Sequence, residues 1–91
     1  MIQIHSKVMY QRYYDSFMTI FVDCYCEARD SGNSQEGAFI IAKIRLQDFI
    51  TTEMLQNKNK TQLILKVYSD IKKDQQTYEK AIKHFERFKA E

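Results

Sequence analysis

The stretch Ala38-Phe39-Ile40-Ile41-Ala42-Lys43-Ile44-Arg45-Leu46 decides the fold. At a period of two, Ala38, Ile40, Ala42, Ile44 and Leu46 share one face, and Phe39 and Ile41 fall with Lys43 and Arg45 on the other. That alternation suits a half-buried strand. Just downstream, Leu46, Phe49, Ile50 and Met54 recur at helical spacing. A lone strand needs a partner, and both flanking segments read as helices. The sequence therefore predicts a helix over 35–56, apolar on several sides. A short strand near 38–46 is the competing reading.

Punctuation falls on either side of this segment. Asp30-Ser31-Gly32-Asn33-Ser34 is a dense turn cluster. Gly32 can adopt the left-handed conformation that ends a helix, and Ser34 can cap the next one. Asn57-Lys58-Asn59-Lys60 is polar throughout, and Asn59 followed by Gln62 has capping-box character. There is no proline, and only two glycines.

Upstream, over 6–30, one helical arc collects Tyr10, Tyr13, Tyr14, Phe17, Ile20, Phe21, Cys24 and Ala28. Met18, Val22 and Tyr25 widen it, and Arg12, Asp15, Ser16, Thr19, Asp23 and Glu27 gather opposite. This is the segregation of an amphipathic helix. Downstream, over 61–90, Leu63, Ile64, Val67, Ile71, Tyr78, Ala81, Ile82, Phe85 and Phe88 form a second stripe, interrupted by Asp74. Leu65 lies off it. One helical period accounts for that whole segment. The predicted fold is all-α and one domain over 1–91: a three-helix antiparallel bundle, or a helical hairpin completed by dimerisation.

Length and composition narrow the function. At 91 residues, 44% hydrophobic and 29% charged, the chain has a globular composition. No run approaches the ~18–20 apolar residues of a membrane span. The first ten residues lack a basic region followed by an apolar stretch, so no signal peptide is expected. The expected compartment is the cytoplasm, or a host cytoplasm for a viral source. The abundance of Lys, Asn, Ile, Phe and Tyr is the composition of AT-rich coding DNA, as in many phages and mobile elements.

No catalytic, metal or cofactor motif is present. Cys24 and Cys26 lie two apart, on different faces of a helix, and no second pair completes a zinc site. His5 and His84 are far apart. Asp70 and Asp74 lie one turn apart, where a polar contact with Arg45 or another base is expected. We read the protein as a non-enzyme that needs no cofactor.

Two surfaces stand out. Tyr10, Tyr13, Tyr14, Phe17 and Tyr25 form an aromatic face of the kind enriched at protein interfaces. The arc looks too wide for a helix with two neighbours, which points to a homodimer or another protein partner. The second surface is basic. Residues 1–57 carry five Lys/Arg against seven Asp/Glu, a balance of −2, while 58–91 carry nine against five, a balance of +4. Lys72, Lys73, Lys80, Lys83 and Arg87 could follow a nucleic-acid backbone. Glu79 and Lys83 are spaced for a supporting ion pair. The leading expectation is a protein-binding inhibitor, adaptor or chaperone-like regulator; the alternative is a nucleic-acid-binding accessory protein.

Overall fold

The computed structural model describes residues 2–90, with side chains described over 7–88. Four α-helices account for most of the chain: α1 (Ile2–Asp30), α2 (Gln35–Gln56), α3 (Thr61–Lys73) and α4 (Gln75–Ala90). A single 3-10 turn, Lys58–Lys60, joins α2 to α3. No strand occurs among the described residues.

The expected turn at 30–34 ends α1. Gly32 has φ +102°, a left-handed conformation that costs glycine little. The Asn33 amide donates to Ala28 O at 3.1 Å and the Gly32 amide to Arg29 O at 3.0 Å, the two bonds of a Schellman cap. The Ser34 hydroxyl then accepts the Gly37 amide at 3.1 Å and starts α2. Within α2, Ala38, Ala42, Leu46 and Ile50 are buried at every fourth position, while Ile40 and Ile44 face outward. The alternation that suggested a strand thus splits between the inner and outer sides of a helix.

The third segment departs from expectation. It is two helices, broken at Asp74, whose backbone is extended (φ −84°, ψ 111°). Asp74 Oδ1 accepts the Gln76 amide at 2.9 Å, and the buried Thr77 hydroxyl reaches back to Ile71 O at 3.1 Å. One carboxylate therefore opens α4 while one hydroxyl closes α3. The capping role expected of Asn59 is absent: Lys60 stands at the α3 N-cap without a side-chain bond. Asn57 instead closes α2, its Nδ2 donating to Glu53 O at 3.1 Å.

Side-chain contacts give the path of the chain. Phe49 meets Phe17, and Phe39 meets Phe21 and Tyr25, so α2 runs back along α1. Asp70 meets Tyr10, Asp74 meets Tyr14, Tyr78 meets Phe21 and Phe85 meets Tyr25. Hence α3 and α4, one after the other, run in the same direction as α1. The plan is up, down, up, with the last rod interrupted. At about 1.5 Å per residue, α1 would be about 43 Å long, close to the 45 Å long axis of the molecule.

The core lies along α1, which packs on α2, α3 and α4. Phe17, Phe21, Tyr25 and Ala28 meet Ala38, Ala42, Leu46 and Ile50 of α2, Ile64, Val67 and Ile71 of α3, and Ala81 and Phe85 of α4. Alanines at 28, 38, 42 and 81 let the backbones approach closely. The large volumes come from rings: Tyr25 stacks on Phe39 at 4.5 Å and meets Phe85 edge-on at 6.2 Å. Such pairs contribute about 0.5–1.5 kcal/mol beyond their buried area. Along its length α1 is flanked by α2 on one side and by α3 and then α4 on the other, and these helices cover much of its apolar arc. Phe88, expected on the core stripe, is exposed, and so is Leu65, which lies off it.

Candidate functional site

The tyrosine face is largely turned inward. Phe17 and Tyr25 are 0% and 1% exposed, held in the chain's own core by α2 and α4, so neither ring reaches a second molecule in this arrangement. Tyr10 and Tyr14 are half-buried and bonded to α3. The Tyr10 hydroxyl donates to Asp70 Oδ2 at 2.5 Å and the Tyr14 hydroxyl to Asp74 Oδ2 at 3.1 Å. The hydrogen bond to Asp70, then burial, pushes the Tyr10 hydroxyl up to about 12. Burial, then the bond to Asp74, raises Tyr14. Asp70 also pairs with Lys66 at 3.6 Å, so the base it meets is Lys66, the alternative to Arg45. Tyr13 is half-buried against Phe17, and its hydroxyl has no hydrogen-bond partner among the described residues.

An apolar surface lies instead on the outer side of α2. Ile40, Ile44 and Leu55 are 57%, 55% and 67% exposed. With Thr51 they follow i, i+4, i+11 and i+15 spacing, which places all four on one stripe of a helix. That stripe lies opposite the Ala38–Ala42–Leu46 face. The sequence carried this signal: Ile40 and Ile44 cannot face inward with Ala38 and Ala42 once the segment is helical.

The basic residues separate into two groups. Lys80, Lys83 and Arg87 border one open depression beside Val22, together with His84. None of them forms an ion pair among the described residues, and the expected Glu79–Lys83 pair is absent there. Lys72 lies elsewhere, its Nζ 4.4 Å from the Tyr68 ring centroid. Lys73 is exposed near the end of α3.

Lys72 belongs to a distinct cleft of about 350 Å³ where α2, α3 and α4 meet over Phe21. Its floor is Phe21, Leu46 and Ile71, all buried. Tyr68 and Tyr78 stand at the sides, and Lys43 faces Lys72 from α2. Lys43 Nζ lies 5.3 Å from the Tyr78 ring centroid.

Chemistry elsewhere is sparse. Burial raises the thiols of Cys24 and Cys26, with Asp23 adding to both, and both cysteines are free. His84 is exposed, and the His5 side chain lies outside the described residues. Among the described residues no group of His, Cys, Asp and Glu could hold a metal ion, and no helix is long and apolar enough to cross a membrane. No protein-family model, curated protein or solved structure matches the chain.

Proposed function

We propose that the chain is a non-enzymatic protein-binding module, acting as an inhibitor, adaptor or chaperone-like regulator. The outward stripe of Ile40, Ile44 and Leu55 carries this reading. Large apolar side chains aligned on a solvent face usually serve an interface. A second copy is the occupant that suits the stripe. Two α2 helices packed antiparallel about an axis between Gln47 and Asp48 would set the Ile40 end of one copy against the Leu55 end of the other. Such a two-fold contact is self-complementary. Sedimentation at micromolar concentration should give a dimer for the wild type. Ile40→Glu/Ile44→Glu should give a monomer with an unchanged far-UV circular dichroism spectrum, because carboxylates would be stranded in a dry interface. A wild-type monomer, or a dimer indifferent to both substitutions, would overturn the stripe as a self-association surface.

The second reading is a nucleic-acid-binding accessory protein. It is favoured by the convergence of Lys80, Lys83, His84 and Arg87 on one depression, with no ion pair to a carboxylate among the described residues. Retention on DNA or RNA that falls steeply with salt, and is lost in Lys80→Glu/Lys83→Glu, would support it.

A further inference from the structure

We propose that the cleft between α2, α3 and α4 binds a small organic anion with a flat apolar body, of the aromatic carboxylate class. The inference does not depend on the protein-binding reading. The floor of Phe21, Leu46 and Ile71 presents carbon only, so it favours an apolar body and wastes a hydrated ion such as phosphate. The half-buried rings of Tyr68 and Tyr78 add aromatic surface at the sides, and the face that each lysine covers is freed when its ammonium turns to a ligand. At about 350 Å³ the space is at the small end of ligand pockets, enough for one or two fused rings.

Charge fixes the other end of the ligand. Lys43 and Lys72 stand at the rim from two different helices, and neither has a carboxylate partner among the described residues. Each ammonium rests on a tyrosine ring, a contact worth only about 0.5–1 kcal/mol at an exposed site. Both are therefore available to a stronger acceptor, and together they repel a cationic ligand. The exposed Gln47 side-chain amide, also at the cleft, has no hydrogen bond among the described residues and can donate to the same head group. The Thr77 hydroxyl is already committed to Ile71 O and contributes only its methyl surface.

Calorimetric titration of the full chain with 2-naphthoate and with neutral 2-naphthamide tests the proposal. At low salt 2-naphthoate should bind saturably with one site, about tenfold or more tighter than the amide, since charge-assisted hydrogen bonds distinguish them. Lys43→Met/Lys72→Met keeps the apolar stems and should erase that preference without altering the circular dichroism spectrum. Lys80→Met/Lys83→Met should leave it intact, which separates this cleft from general basicity. Absence of saturable 2-naphthoate binding, equal affinity for the two compounds, or a preference that survives in Lys43→Met/Lys72→Met would overturn the proposal.

Discussion

The Tyr14 hydroxyl donates to Asp74 Oδ2 at 3.1 Å, and the same carboxylate caps α4 through its other oxygen. Asp74 thus ties the break between α3 and α4 to the middle of α1. The tie one turn earlier, Tyr10 to Asp70, spans the same sixty residues of sequence. Two equal offsets mean that α1 and α3 run in register, each turn of one facing a turn of the other.

Asp74→Ala removes both the cap and the tie. Losing an N-cap costs about 0.5–2 kcal/mol, and a hydrogen bond typically adds about 1 kcal/mol. Asp74→Ser retains capping chemistry and should cost less. Urea denaturation followed by circular dichroism should rank them wild type, Ser, Ala. Equal stability of wild type and Asp74→Ala would show that the break does not depend on this side chain.

The Tyr10–Asp70 bond should confine part of the stability to a pH window. The folded Tyr10 hydroxyl is raised from 10.0 to about 12, so its contribution is complete below about 10 and disappears as pH climbs through about 12. The bond from Tyr10 lowers Asp70 from 3.8, so its contribution is present above that value and lost as pH falls through the folded one. Tyr10→Phe should flatten the acid limb and shrink the alkaline limb of a midpoint-versus-pH curve. Tyr13, Tyr14, Tyr25 and Tyr68, whose hydroxyls burial also raises, maintain the rest of the alkaline limb. Curves that superimpose after a vertical shift would contradict the assignment.

Core and surface should respond unequally to truncation. Phe17→Ala opens a cavity beneath Phe49 and Tyr13 and should cost about 3–5 kcal/mol, a large share of the roughly 5–15 kcal/mol available to a domain. Leu65→Ala, on the exposed side of α3, should change stability by less than about 0.5 kcal/mol. Ala42→Leu probes the close approach of α1 and α2 and should destabilise by about 1–3 kcal/mol through overpacking. Denaturant midpoints of the three variants suffice to check this order.

Cys24 and Cys26 should react slowly with Ellman's reagent at neutral pH, since burial raises both thiols and the thiolate is the nucleophile. Adding denaturant should accelerate both to the rate of a free thiol. Fast native-state labelling would indicate a more open α1 than the structure shows.

The helical class was legible because Phe17, Phe21 and Ala28, and likewise Val67, Ile71 and Phe85, keep a helical period against polar opposites. The break at Asp74 was hidden by that same period. Because α3 and α4 run onward in one direction along α1, Ile71 and Tyr78 stay nearly in phase across the interruption. The local signal was an aspartate in N-cap position followed by two glutamines, weaker to the eye than the apolar stripe. The tyrosine face was legible only in part, for a different reason. Periodicity reports that Tyr10, Tyr14 and Tyr25 are covered, but not whether the cover is another molecule or α3 and α4. The Lys43–Lys72 cleft was illegible, since its residues come from four helices and meet only through the tertiary fold.

The up, down, up course places the two ends of the fold at opposite poles. Phe88 lies beside Asp30 at the far end of α1 from Lys7, some 35 Å away at about 1.5 Å per helical residue. A bridge from Phe88 back to Lys7 would need at least about ten extended residues. A shorter one could close only by exchanging the last rod with a neighbouring copy.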